Sequence, residues 1–185
     1  MDDSASALLD QRRLSVALRS AAALVFAIGF LWPAISETTL IGLFAAYAFV
    51  DGILALSPGG WGFPDRPVWP LLVGGLVGLA ASAAASVGPG MNLPDLVHLT
   101  TIWAIALAIT FSAACATLRE ADADYLLLLC GIASALFGRA LLSHMAGDVV
   151  VLSTWMGLYT LTLGILLLKL ALQLYQPVAL DFSPE

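Results

Sequence analysis

Six apolar blocks alternate with short polar or glycine- and proline-rich breaks, at about residues 17–34, 38–57, 69–87, 96–117, 125–145 and 149–173. Each is close to the roughly 20 residues that an α-helix needs to cross about 30 Å of hydrocarbon at about 1.5 Å per residue. The breaks carry turn chemistry: Pro33 through Glu37, Ser57-Pro58-Gly59-Gly60 through Arg66-Pro67, Gly88-Pro89-Gly90 through Pro94, Arg119 through Asp124, and Gly147-Asp148. The pattern predicts an all-α fold, a polytopic membrane bundle of six transmembrane helices. Consecutive spans pair into three helix hairpins at 17–57, 69–117 and 125–173, flanked by residues 1–16 and 174–185. Residues 4–16 mix Ala and Leu with Asp10, Arg12 and Arg13, which suits either a short interfacial helix or a frayed tail. Arg12-Arg13 ahead of an apolar run resembles a secretory or twin-arginine signal. The run is long for that role, a second span follows at once, and no small-x-small cleavage point precedes it, so the segment is read as retained.

Composition strengthens this reading. The 185 residues are 61% apolar and only 11% charged, too few charges for a water-facing surface of ordinary density. With 7 Lys and Arg against 13 Asp and Glu, the chain lacks a basic stripe for nucleic acid. Cys115 and Cys130 lie inside apolar blocks without metal or redox spacing, and read as small core residues. Cations set the orientation: Arg12, Arg13, Arg19, Arg66, Arg119 and Lys169 all fall in or near connections on the side of the termini, against Arg139 alone on the other. That bias predicts both termini in the cytoplasm and a multi-pass protein of the cell inner (plasma) membrane.

The third span is the least hydrophobic, because Ala80-Ala81-Ser82-Ala83-Ala84-Ala85-Ser86 fills its second half. Small side chains let helices approach closely in lipid, and Gly74-x-x-x-Gly78 adds a packing motif, so this span is expected inside the bundle; the alternative is that the small residues only thin a lipid-facing helix. The first and third hairpins share a pattern. A span containing Gly29 or Gly138 leads through a short turn to a helix ending in Asp51-Gly52-Ile53-Leu54 or Leu163-Gly164-Ile165-Leu166.

Three short two-helix repeats, Gly29-x-x-x-Pro33 closing the first span, and the Gly-Ile-Leu endings of the second and sixth make residues 17–173 resemble the HdeD-like family of bacterial membrane proteins. The resemblance implies a six-span inner-membrane protein linked to acid resistance, without established enzymatic activity or cofactor, and it transfers no catalytic residue. The Ala/Ser-rich middle repeat and the loop bearing Trp61 and Phe63 depart from the pattern.

Ionisable residues within apolar blocks are the candidates for function, because lipid makes them costly unless they face protein, water or a counter-charge. Asp51, in the second span, is the foremost; the competing reading is an interfacial carboxylate or a helix-packing hydrogen bond. Arg139, near the far end of the fifth span, either snorkels to headgroups or pairs with Asp148 or Glu37. Lys169 is read as snorkelling to the opposite surface. Glu37, Asp95 and Asp148 are expected to cap the second, fourth and sixth helices. His98 and His144, both at the far side, could gain charge between pH 7 and 5 or serve as surface residues. Trp32, Trp69, Trp155, Tyr125 and Tyr175 stand near span ends as interfacial anchors.

No nucleophile elbow, phosphate loop, dinucleotide fingerprint or metalloprotease helix occurs. The sequence therefore points to a non-enzymatic envelope or acid-stress protein without a cofactor, embedded in the lipid bilayer and packing as a homo-oligomer or with a membrane-protein partner. The alternative is a transporter or proton/ion pathway that uses Asp51 and Arg139.

Overall fold

The computed structural model describes the backbone of residues 3–57, 69–87, 90–118, 124–144 and 148–175; among these, the side chains of 3–13, 117, 118, 124, 144, 174 and 175 lie outside the description. Six helices follow in order: α1 (Asp3–Phe30), α2 (Glu37–Leu56), α3 (Trp69–Val87), α4 (Leu93–Leu118), α5 (Asp124–His144) and α6 (Val149–Tyr175). The fold is a polytopic all-α membrane bundle. Helices α2 to α6 are long and apolar enough to cross a bilayer, while the corresponding apolar stretch of α1, Leu14–Phe30, is shorter. Helix α1 begins at Asp3 and runs without a break through residues 4–16 into the apolar stretch.

Helical backbone satisfies its own hydrogen bonds, which lipid cannot do for it, so the remaining question is how the helices meet. Each packs antiparallel against its neighbour in sequence, and α6 returns to pack along α1, closing a ring. The most extensive pairings are α1 with α6, α2 with α3 and α4 with α5. All three are seamed by glycine. A Cβ on Gly52 would stand 2.9 Å from the Gly75 carbonyl, and one on Gly78 would stand 3.0 Å from the Ala48 carbonyl. Gly131 faces Ser112 and Ala108 of α4, and Gly157 and Gly164 admit Leu31 and Leu24 of α1. Close backbone approach supplies the van der Waals contact that holds helices together where the solvent is itself apolar. Helix α3 turns Gly74, Gly75, Gly78, Ala81, Ser82 and Ala85 toward its neighbours, but Ala80, Ala83, Ala84 and Ser86 of the same run are exposed, so the span stands in the wall of the ring with one face outward rather than inside the bundle.

Burial repeats at a constant interval. Leu40, Leu96 and Leu152, each fully buried, stand 56 residues apart (96 − 40 = 152 − 96), and so do the central aromatics Tyr47, Trp103 and Tyr159. The turns follow the same register. Ala34 and Gly90 take the left-handed conformation (φ 68° and 74°) two residues ahead of Ser36 and Asn92, and Asp148 precedes the sixth helix at the same interval. Buried positions of α3 and α5 also correspond, as in Gly75 with Gly131 and Ala85 with Leu141. Gly52 and Gly164 stand in register, whereas Gly29 meets only Leu43 at ordinary contact distance and Gly138 is pressed against Ile105. The axis is filled by rings: Trp103 lies edge-on to Phe44, Tyr47 and Tyr159 at centroid distances of 5.6, 5.8 and 6.0 Å.

The caps correct two expectations. Ser36, rather than Glu37, caps α2 by accepting from the Thr39 N–H at 3.2 Å, with Glu37 in the first turn beside the positive end of the helix dipole. Asn92 Oδ1 accepts from the Asp95 N–H at 3.1 Å, so Asp95 is the reciprocal partner in a capping pair and Asn92 the cap. In both cases the true cap is an uncharged side chain just ahead of the acid. Asp148 caps α6 as expected, through the Val150 N–H at 2.8 Å.

Two substitutions separate seam glycines from incidental ones. Gly52→Val should destabilise the bundle by about 2 kcal/mol or more, since its new atoms would meet the α3 backbone. Gly42→Ala, which meets nothing within 4 Å, should be neutral or stabilising by up to about 1 kcal/mol. Reversible unfolding in mixed micelles or by steric trapping measures both, and equal effects would contradict the seam.

Candidate functional site: a buried Arg19–Asp51 pair

Asp51 is 5% exposed and faces the interior from α2. Its partner comes from α1: Arg19 Nε donates to Oδ1 at 2.9 Å, and a terminal guanidinium nitrogen donates to Oδ2 at 3.1 Å. This fork satisfies the planar guanidinium and the carboxylate together, which is the arrangement that makes a buried charge pair tolerable. Arg19 and Asp51 lie at similar distances on either side of the α1–α2 turn, so antiparallel packing sets them at one depth.

Neighbours complete the enclosure. The guanidinium carbon lies 5.9 Å from the centroid of the Phe111 ring on α4, a cation–π distance. Tyr47, one helical turn before Asp51, packs against Phe26 and Phe30 of α1. Cys130 is buried on α5, and its carbonyl accepts from Ser134 Oγ at 2.8 Å. Ser134 and Tyr159 share a hydroxyl hydrogen bond of 2.8 Å between α5 and α6, and the Tyr159 ring stacks on Phe137 at 4.2 Å. Ser20 donates to the Gly164 carbonyl at 2.8 Å, fastening α1 to α6 one residue along from Arg19. Two buried polar atoms nearer the far end, Thr100 Oγ1 and Trp103 Nε1, have no hydrogen-bond partner among the described residues.

The other candidates are dispersed. Arg139 is exposed on the outer face of α5 and, among the described residues, makes no ion pair with Asp148 or Glu37; the Asp148 carboxylate is engaged in its helix cap. Asp51 and Arg139 therefore do not share one site. His98 is exposed on α4, and the His144 side chain lies outside the described residues, as do Arg66, Arg119, Trp61 and Phe63. Lys169 is exposed with its ammonium 5.2 Å from the Tyr125 ring. Gly74 meets Thr110 of α4, while Gly78 meets α2, so the two glycines serve different neighbours. Among the described residues no three His, Cys, Asp or Glu side chains converge as metal ligands.

Arg19 is the residue whose role sequence reasoning missed, because it was counted among the cations in or near the connections and was not paired with Asp51. It lies inside the bundle with its side chain 10% exposed. The signal was available: an Arg within an apolar block, in a hairpin with an Asp at matching depth, has a nearby counter-charge.

Comparison with protein-family models, with curated proteins and with solved structures finds no match to this chain. The site therefore has to be read from its own geometry. A forked pair sealed by aromatic rings is suited to fixing the relative rotation of α1 and α2 and to holding charge away from water.

Removing one partner should be worse than removing both. Asp51→Leu leaves the guanidinium buried and unpaired, with an expected loss of about 3–5 kcal/mol, whereas Arg19→Met with Asp51→Leu should recover most of it. Additive losses in the double-mutant cycle would show that the two side chains do not interact.

Proposed function

We propose that the chain is a non-enzymatic inner-membrane protein made of three two-helix units, with six crossings and both termini in the cytoplasm. In this reading it serves envelope or acid-stress protection, as the HdeD-like resemblance implies, by packing with itself or with a membrane-protein partner. The observation that carries it is the filled axis. Trp103, Tyr47, Tyr159, Phe44 and the Arg19–Asp51 pair occupy the middle of the ring, which leaves its outer surface to do the work. That surface is broad and apolar: Val25, Ile28, Leu76, Ile102, Ile109, Leu136 and Leu142 are each more than half exposed. Such side chains suit lipid or another membrane helix. The interval of 56 residues shared by Leu40, Leu96 and Leu152 supports the three-unit plan. Lys169, Arg12 and Arg13 favour the cytoplasmic placement of the termini, even with Arg19 withdrawn from the count.

A second reading has one observation in its favour. The Arg19–Asp51 pair, with Tyr47 one helical turn away on α2, is the kind of intramembrane ionisable group that proton and ion pathways use. Arg139 stands apart from it.

Reconstitution of the full chain into liposomes decides between them. The packing reading predicts two or more copies per complex by single-molecule photobleaching, or co-purification of a defined partner, with no solute or proton flux. Strict monomers lacking both a partner and a deletion phenotype under acid would overturn it, and flux that disappears in Asp51→Asn would establish the pathway instead.

A further inference from the structure

Arg139 sits on the ridge of α5 between two open grooves. On one side, Ile105, Ala108, Ile109, Ile132, Ala135 and Leu142 line a groove of about 640 Å³ between α4 and α5. On the other, Ala133, Leu136, Ala140, Trp155, Leu158 and Thr162 line one of about 370 Å³ between α5 and α6. Arg139, Leu136, Ala140 and Trp155 also border a contiguous hollow at the head of the second groove. The second groove exists because α5 and α6 touch along fewer residues than the other neighbouring pairs in the ring.

The placement of the charge matters. Arg139 lies about 7 Å from the end of α5, by about 1.5 Å per residue, within reach of headgroups, and both grooves run from its level toward mid-bilayer. Trp155, 41% exposed beside it, is the kind of ring that favours the headgroup layer. An exposed guanidinium with no ion-pair partner among the described residues is complementary to a phosphate, which it can bind through two parallel hydrogen bonds. Two apolar grooves diverging from one cation match a molecule with one anionic head and two hydrocarbon tails.

We propose that α5 carries a specific site for a two-chain anionic phospholipid, with the phosphate at Arg139 and one acyl chain in each flanking groove. The lipid belongs to the leaflet at the end of the bundle away from the termini. It fills the gap between α5 and α6, extending the apolar contact that the short seam there leaves incomplete.

Native mass spectrometry of the full chain in detergent, with equimolar phosphatidylglycerol and phosphatidylcholine, tests this. One phosphatidylglycerol should be retained per chain, about tenfold in preference to phosphatidylcholine. Arg139→Gln should lose the preference and Arg139→Lys should keep part of it, both with parental helix content because the residue is exposed. Leu136→Trp and Ile109→Trp, at positions 63% and 64% exposed, should each weaken retention by obstructing one groove without altering charge. Equal retention of the two lipids would mean a nonspecific lipid coat and overturn the proposal. So would unchanged preference in Arg139→Gln, or displacement by free glycerol phosphate at the concentration of the lipid, which would mark a site for the headgroup alone.

Discussion

A guanidinium and a carboxylate placed together in hydrocarbon are tolerable only if each satisfies the other and the surroundings keep them together. The Arg19–Asp51 fork meets the first condition through two hydrogen bonds near 3 Å. The closed ring meets the second. Helix α1 is held on one side by α2 and on the other by α6, through Ser20 to the Gly164 carbonyl and through the leucines seated on Gly157 and Gly164. Opening the ring would bring one of the costliest charge pairs in the chain to lipid, so the pair and the ring closure depend on each other.

The interval of 56 residues gives this pair its context. On the even helices, Asp51 corresponds to Leu107 and Leu163, both buried. On the odd helices, with one residue fewer between α1 and α3, Arg19 corresponds to Gly74 and Cys130, which are also buried. Two of the three equivalent places around the axis are therefore apolar, and the third holds two opposite charges. A repeated architecture can accept such a substitution because the charges lie next to each other across a helix–helix contact. The acid and the base together break the symmetry, whereas either alone would leave an unpaired charge.

Much of the fold was legible because hydropathy and turn chemistry report directly on lipid. Helices α2 to α6 fall within a few residues of the apolar blocks, and the glycines of the third span lie on its buried face, while its Ala/Ser run is divided between the buried face and the outer one. The beginning of α1 was less legible, since its polar first turns carry no hydrophobic period to mark where the helix starts. The caps were misassigned at Glu37 and Asp95 because a carboxylate near a helix start draws the eye, while Ser36 and Asn92 hold the geometry. At the candidate site, Asp51 was found from its cost in lipid, but Arg19 was counted only toward the charge bias near the connections and was not matched to it. A sequence lists charges in order and leaves their depth to be inferred from the turn between them. The aromatic axis was not legible, because spacing alone does not say which face of each helix turns inward.

The central claim is that the two charges meet within the bilayer. Dipolar-recoupling solid-state NMR on the full chain in lipid bilayers, with nitrogen-15 in the arginine guanidinium and carbon-13 in the aspartate carboxyl, measures that contact. The account predicts strong dephasing from the Arg19–Asp51 pair, matching nitrogen–oxygen separations of 2.9 and 3.1 Å, and loss of that contribution in Arg19→Met. Dephasing at the level of isolated charges in the parent protein would contradict it.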